Sequence, residues 1–255
     1  MHAPVANPIE PHLLMLAYRS GIFPMADRRD DPEIFWVEPR QRAILPLDGL
    51  RCSRSLARTL RRDRFTVTCN RAFAAVIDAC AGPRADGGDT WISGRIRASY
   101  IALHEAGQAH SIECWHQDQL VGGLYGVGFD RVFCGESMFS RMPDASKVAL
   151  VWLVAALRRA GASLLDCQFM TPHLASLGAI EIPQRRYLEL LNAAQTSSDG
   201  VAAGEGGAVG AGDGVGEGAA LGLPEGFAAL LGAAAAAGSA SSPGNFIAQS
   251  LTQTS

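Results

Sequence analysis

Three polar residues, Glu136, Asp166 and Gln168, interrupt apolar stretches where a folded chain would enclose them. Asp166 and Gln168 lie two apart in the run 163–169. In a strand that spacing places both on one face and turns Leu165 and Cys167 to the other. A carboxylate and an amide held together can position a nucleophile or stabilise developing charge. The same pair can equally be a structural hydrogen bond inside a buried sheet. Glu136 follows the apolar run 132–134, at the mouth of a loop that reaches Pro143 and Asp144. Phe133, Met138, Phe139, Phe169 and Met170 flank the three in sequence, a pattern that describes an apolar pocket with polar groups at its edge. The chain carries no His/Cys cluster at zinc spacing, no phosphate-loop motif, no GxSxG and no HExxH. His110 and His173 flank apolar segments and read as satisfied structural histidines.

The elements that must hold these residues follow from periodicity. Helices are predicted over 11–21, 53–62 with Ser53 as N-cap, 70–80 with Asn70 as N-cap, 95–106 and 184–191. Short strands are predicted at 35–37, 42–47, 65–69 and 180–182, and a Gly- and Asp-rich loop at 82–89. From residue 109 the pattern turns to strands at 111–115, 119–127 and 131–136, separated by hairpin-length breaks, which gives an antiparallel meander. The meander feeds an apolar helix over 145–160, with Asp144 as N-cap and Gly161 as its stop. The Asp166 strand then returns parallel to the meander across a right-handed crossover. Thr171-Pro172 opens a short helix that Gly178 ends. The class is α+β with a mixed sheet.

With 255 residues and 48% apolar content the chain builds a sizeable core without metals or disulfides. Its six cysteines form no CxxC pair and read as reduced thiols of a cytosolic protein. The N-terminus lacks the pattern of a secretory signal, and no apolar stretch is long enough to span a bilayer. The net charge of -3 hides an asymmetry: residues 1–192 carry all 22 Lys and Arg against 20 acids, a balance of +2, and the remainder carries five acids and no base. Seven arginines crowd residues 51–71 against the single acid Asp63, which suits a phosphate backbone or a solvated helix face. Residues 193–255 hold half of the 28 glycines, so this tail is expected to be disordered and dispensable, with at most a transient helix near 227–237.

Several short motifs agree in order with one known family. Gly135-Glu136-Ser137-Met138-Phe139-Ser140-Arg141, Asp144-Ala145-Ser146-Lys147, Leu165-Asp166-Cys167-Gln168 and His173-Leu174-Ala175-Ser176-Leu177-Gly178-Ala179 resemble leucyl/phenylalanyl-tRNA–protein transferases. Upstream, Gly21-Ile22-Phe23-Pro24, Ser53-Arg54-Ser55, Thr90-Trp91-Ile92, His110-Ser111-Ile112-Glu113 and Val121-Gly122-Gly123-Leu124-Tyr125-Gly126 fit the same family. The resemblance covers about residues 11–192 and leaves the tail without a counterpart.

The resemblance implies a GNAT-like acyltransferase domain over 61–192, a small N-terminal α/β domain over 1–60 and a disordered C-terminal tail over 193–255. It implies a bacterial, cytoplasmic enzyme whose activated donor needs no cofactor or metal, and nothing in the sequence demands more than a monomer. Its donor is Leu-tRNA or Phe-tRNA, with Met as a further side chain, and its acceptors are proteins beginning with Arg or Lys, marked thereby for N-end rule degradation. Residue by residue, Asp166 and Gln168 match the family's proposed relay, in which Asp polarises Gln and the Gln oxygen receives the attacking amine. Glu136 matches the pocket glutamate that favours a cationic acceptor. Trp91 matches an aromatic residue near the aminoacyl-adenosine, with Tyr100 beside it. Leu124, Met138, Phe139 and Met25 join them as substrate contacts, and Arg54, Arg58, Arg61 and Arg62 as tRNA contacts. Met25 stands where familiar members carry Trp. Two other readings remain open: a GNAT-type acyl-CoA N-acyltransferase, which wants glycines that residues 141–146 lack, and a tRNA-binding module without activity.

Overall fold

A computed structural model of the chain describes residues 7–82, 89–196, 221–237 and 242–252. The predicted loop at 82–89 lies almost wholly outside the described residues. The N-terminal part runs through α1 (Pro11–Arg19), β1 (Phe23–Met25), β2 (Phe35–Val37), β3 (Gln41–Ile44), α2 (Arg54–Arg61), β4 (Thr66–Cys69), α3 (Phe73–Cys80) and α4 (Gly94–Glu105). The meander is β5 (Ala109–His116), β6 (Gln119–Phe129) and β7 (Val132–Ser140). Then come α5 (Ala145–Arg159), β8 (Leu164–Gln168), α6 (Pro172–Ser176), β9 (Ile180–Pro183) and α7 (Gln184–Thr196), followed by α8 (Leu223–Ala236) and α9 (Pro243–Thr252).

Seven strands form one mixed sheet in the order β4-β5-β6-β7-β8-β3-β9. The β7–β8 pair is parallel and the other pairs are antiparallel. The parallel pair is the one that α5 connects, as the crossover pattern predicts. The β5–β6 turn needs two left-handed residues, supplied by Gln117 (φ 48°) and Asp118 (φ 59°), polar side chains that tolerate that region. β3, from the expected N-terminal unit, sits between β8 and β9 in the main sheet, and β1 and β2 form a separate two-stranded ribbon. The alternation of each strand divides the core in two. One layer packs α5, with Leu150, Val151 and Leu157, against Ile112, Leu124 and Phe133, and α2 adds Leu56 and Leu60. The other packs Leu14, Tyr18, Val76, Ile96, Tyr100 and Tyr187 of α1, α3, α4 and α7 against Tyr125, Val127 and Cys134.

One predicted cap is misplaced, and a second holds its position without a side-chain bond. Asn70 does not cap α3; its backbone is left-handed (φ 59°), Ala72 holds the N-cap position, and the Asn70 amide oxygen accepts from the Ser111 N–H at 3.0 Å. Asp144 precedes α5 in a left-handed conformation and makes no cap bond; its carboxylate meets Lys147 at 3.2 Å. Ser53 does cap α2, accepting from the Leu56 N–H at 3.2 Å.

The expected disorder of 193–255 is corrected where the structure describes that segment. α7 continues to Thr196, and α8 and α9 fold onto α5 and α2. Leu223, Phe227, Leu230 and Ile247 are buried in the α5 layer, and the Phe227 and Trp152 rings lie 5.4 Å apart. Residues 197–220, 238–241 and 253–255 lie outside the described set. Phe227→Ala is expected to lower the unfolding free energy by about 3 kcal/mol, the usual cost of truncating a buried ring. Urea unfolding of the full chain measures it, and a change near zero would mean the helix does not dock.

Candidate active site

The site begins where the sheet stops being regular. β7 and β8 pair only from Val132–Leu164 to Cys134–Asp166, and beyond that the strands part. On its other side β7 is bulged: Gly126 faces Gly135 and Tyr125 faces Ser137, so Glu136 is the extra, unpaired residue. A bulge re-aims its side chain. Glu136, expected at the end of its strand and the mouth of the following loop, is therefore an interior residue, 8% exposed. Gly126 is required there, because a Cβ would run into the Cys134 carbonyl and the Phe133 ring.

Three groups converge on the Glu136 carboxylate. The Tyr18 hydroxyl donates to Oε1 at 2.6 Å, the Tyr100 hydroxyl to Oε2 at 2.9 Å, and the Gln168 Nε2 to Oε1 at 2.8 Å. The two tyrosine hydroxyls also touch each other. Burial pushes the Glu136 carboxyl up to about 7, against the pull of the three donors toward the charged form. Burial likewise raises both tyrosines well above the ordinary phenol value, with the Glu136 charge adding to it, so they remain donors.

Asp166 belongs to a second, deeper group. It is fully buried in β8 beside β3, where Arg42 meets it through Nε to Oδ1 at 2.9 Å and Nη2 to Oδ2 at 2.5 Å. Arg42 is itself 1% exposed, donates to the Gly21 carbonyl at 3.0 Å, and lies between the Phe23 and Tyr187 rings. Tyr187 donates to Asp166 Oδ2 at 3.1 Å. Burial alone would lower the Arg42 pKa, but the Asp166 charge and its hydrogen bonds outweigh it and raise the pKa.

The expected contact between Asp166 and the Gln168 side chain is corrected here. Asp166 Oδ1 accepts from the Gln168 backbone N–H at 2.8 Å. Gln168 is left-handed (φ 61°), so strict alternation ends at this residue and its side chain reaches Glu136 instead. With Nε2 committed to the carboxylate, Oε1 is the amide atom left for a molecule in the cavity.

That cavity has a volume of about 390 Å³ and opens where β7 and β8 part. Its walls come from both layers of the core: Leu124, Met138, Leu150, Leu153 and Leu165 from one, Met25 and Trp91 from the other, with Glu136 and Gln168 at the polar side. Of the expected substrate contacts, Met25, Trp91, Leu124 and Met138 line it. Tyr100 does not; it stands behind Glu136 as a donor. Phe139 borders a neighbouring recess with Asp144, Lys147 and His173. His173 borders both spaces and has a buried Nε2 without a partner among the described residues, whereas His110 pairs its Nδ1 with the Asn70 amide nitrogen at 3.0 Å and leaves only its Nε2 without one. Arg54, Arg58, Arg61 and Arg62 lie exposed on or just after α2, and none forms an ion pair among the described residues. Thr59 of the same helix approaches Asp144 at the recess, with 3.5 Å between their oxygens. All six cysteines are unpaired. Among the described residues no cluster suits a metal ion, and no helix is long and apolar enough to cross a membrane.

Sequence reasoning missed Arg42, Tyr18 and Tyr187. Arg42 follows Arg40 and Gln41 and reads as part of a solvated strand edge, and its partner lies 124 residues away. Tyr18 carried a signal: it is the polar-tipped residue on the apolar face of the first helix.

An apolar cavity opening onto a buried carboxylate and amide is the apparatus of an enzyme that seats a greasy group beside a polar reaction. The comparisons give that class a family. The model for the leucyl/phenylalanyl-tRNA protein transferase matches residues 44–192, and the model for that protein's N-terminal domain matches residues 7–40. A leucyl/phenylalanyl-tRNA–protein transferase of Novosphingobium aromaticivorans is 69% identical over 255 residues, covering 97% of each chain and therefore most of the C-terminal segment. Proteins of the same name from Zymomonas mobilis (58% identical, 76% of this chain and 72% of theirs) and Ruegeria pomeroyi (51%, 76% and 91%) match as well. The chain belongs to the leucyl/phenylalanyl-tRNA protein transferase family. Among solved structures, L-PGS from Bacillus licheniformis aligns at a TM-score of 0.36 and 15% identity over 67% of this chain and 56% of its own, too distant to inform the fold.

Two outcomes test the geometry directly. Arg42→Ala leaves the Asp166 charge buried without its partner and is expected to cost about 3–5 kcal/mol in chemical denaturation. Glu136 has a folded pKa raised above its unfolded value, so the unfolded chain releases the proton first and stability falls as pH rises from about 4.5 through about 7. Glu136→Gln removes that component, so the difference in unfolding free energy between variant and parent is expected to grow in the variant's favour across this window. A difference that stays flat with pH would show that Glu136 is not held with a raised pKa.

Proposed function

We propose that the chain transfers leucine or phenylalanine from an aminoacyl-tRNA to the α-amino group of proteins that begin with Arg or Lys. The observation that carries this reading is the Gln168–Glu136 contact, 2.8 Å long, in the wall of an otherwise apolar cavity. The donor is an activated ester, so the reaction needs orientation and charge stabilisation rather than an energy source. The cavity takes the aminoacyl side chain between Leu124, Met138, Leu150, Leu153 and Leu165, a space suited to unbranched or γ-branched chains such as Leu, Phe and Met. Gln168 Oε1 accepts a hydrogen bond from the acceptor amine and fixes it against the ester carbonyl. The new C–N bond forms, the C–O bond to the ribose breaks, and the amine's proton leaves with the ribose hydroxyl.

Asp166 acts in this scheme as a fixed anion. Arg42 and Tyr187 saturate its carboxylate, and its service to the reaction is the bond to the Gln168 backbone, which holds the left-handed turn. Glu136 locks the Gln168 amide in one orientation and presents negative charge toward a cationic acceptor. Trp91 and Met25 face the donor's nucleoside end. The exposed arginines of α2 meet the tRNA backbone, for which charge without base readout suffices. A GNAT-like arrangement accords with the parted strands β7 and β8 beside the crossover helix. The enzyme works as a cytoplasmic monomer, and its products are marked for N-end rule degradation.

The test uses radiolabelled Leu-tRNA with two peptides that differ only in a free or acetylated N-terminal Arg. Label is expected on the free-amine peptide alone. Gln168→Ala is expected to lower kcat by about 10²-fold, the scale of losing one positioned polar group at a reacting centre, with little change in KM. Label on neither peptide while tRNA still binds would replace this reading with that of a binding module.

A further inference from the structure

The helices α8 and α9 are folded, buried and free of basic residues, and one of them touches the helix that carries the arginines. Residues 193–255 contain five acids and no Lys or Arg, so this segment repels a polyanion rather than binding one. Yet α9 packs on α2, with Ile247 and Ala248 buried in the layer that holds Leu56 and Leu60. Gly244 lies against the end of α2: its N–H donates to Asp63 Oδ1 at 2.9 Å, and a Cβ there would collide with the Leu60 carbonyl. Asp63 is itself left-handed (φ 42°) and is the single acid among the seven arginines of 51–71. Its bond to Gly244 therefore ties the C-terminal segment to the turn that directs the chain out of the arginine helix.

The other anchor is α5. Phe227 packs on Trp152, and Gly226 lies on the Ala156 carbonyl, so α8 is seated on the crossover helix. α2 is only eight residues long and buries three side chains, Leu56, Ala57 and Leu60. Helices that short are marginal without tertiary packing. The second docked face that α9 supplies is what an arginine row needs to present a fixed array of charges.

We propose that the α8–α9 segment is a positioning element for the arginine helix. It sets Arg54, Arg58, Arg61 and Arg62 as a rigid face for the body of the tRNA and leaves the chemistry of transfer untouched. This inference rests on the reading of α2 as the tRNA-contact face.

The experiment keeps the full chain and compares two donors: Phe-tRNA and phenylalanyl-adenosine, which carries the same ester without the tRNA body. Ile247→Asp and Gly244→Val detach α9, Ile247→Val is the conservative control, and Arg58→Glu with Arg61→Glu tests the arginine face. Ile247→Asp and Gly244→Val are expected to raise the tRNA Kd about tenfold with a shallower salt dependence, while transfer from phenylalanyl-adenosine stays within about twofold of the parent. Ile247→Val is expected to match the parent on both donors. Unchanged tRNA affinity in the two disruptive variants overturns the proposal, and so does a parallel loss on both donors, which would mark a general structural role. If the double arginine variant keeps full tRNA affinity, the arginine-face reading itself fails. If that variant weakens binding and the α9 variants do not, the face stands and the positioning role falls.

Discussion

The site depends on one buried ion pair. Arg42 and Asp166 are both withdrawn from water, and neither charge would be tolerated alone at that depth. Desolvation is offset by saturation: both carboxylate oxygens and the guanidinium's Nε, Nη1 and Nη2 have partners, and two aromatic rings sandwich the cation. The pair links β3 to β8 and, through Gly21 and Tyr187, ties the turn after α1 and the helix α7 to the centre of the sheet. With Asp166 so fixed, its bond to the Gln168 N–H sets a left-handed backbone that a glutamine does not adopt without support. Everything on the polar side of the cavity is built outward from that point.

A second irregularity meets the first. The bulge at Glu136 and the left-handed turn at Gln168 lie on the two strands that part, one on each side of the gap. Neither alone would make a contact. The bulge turns a residue of β7 into the interior, the turn brings the amide of β8 across, and the two tyrosines from α1 and α4 close the ring around the carboxylate. The raised pKa of Glu136 is a consequence of this enclosure. The donors oppose the shift but do not abolish it, so the group sits near neutrality, where its charge state is sensitive to what enters the cavity.

How much of this was legible in the sequence depends on range. The meander, the crossover helix and the parallel return of the Asp166 strand follow from local periodicity, and they set the correct neighbourhood for Glu136 and Gln168. Period-two alternation also placed Asp166 and Gln168 together, but it could not show that the bond runs through the main chain. Glu136 read as the end of its strand, but the bulge there was not legible, because a bulge needs a partner strand to define it. Arg42 was invisible for the same reason: only the fold brings it to a carboxylate 124 residues away. The tail failed differently. Averaged over 63 residues its glycine content implies disorder, yet Leu223, Phe227, Leu230 and Ala234 recur at helical spacing, and Gly226 and Gly244 are close-approach positions rather than flexible ones. The helical pattern near 227–237 was legible, but the glycine average over the whole window made it read as transient.

The two layers of the core divide the labour. The layer of α1, α3, α4 and α7 holds the ion pair, the tyrosines and the carboxylate, a polar network that is costly unless every member is satisfied. The layer of α5, α2, α8 and α9 is apolar, and it supplies the hydrophobic wall. A regular sheet would keep these environments apart. Because β7 and β8 separate after three paired residues, the cavity passes between them and exposes one molecule to both. The proposed reaction joins an apolar aminoacyl group to a cationic acceptor, and that juxtaposition suits it, since each environment alone would reject one of the two partners. The parting of the strands is thus the structural counterpart of the proposed reaction's mixed polarity, and the buried Arg42–Asp166 pair anchors β8 to β3 at the residue where its pairing with β7 ends.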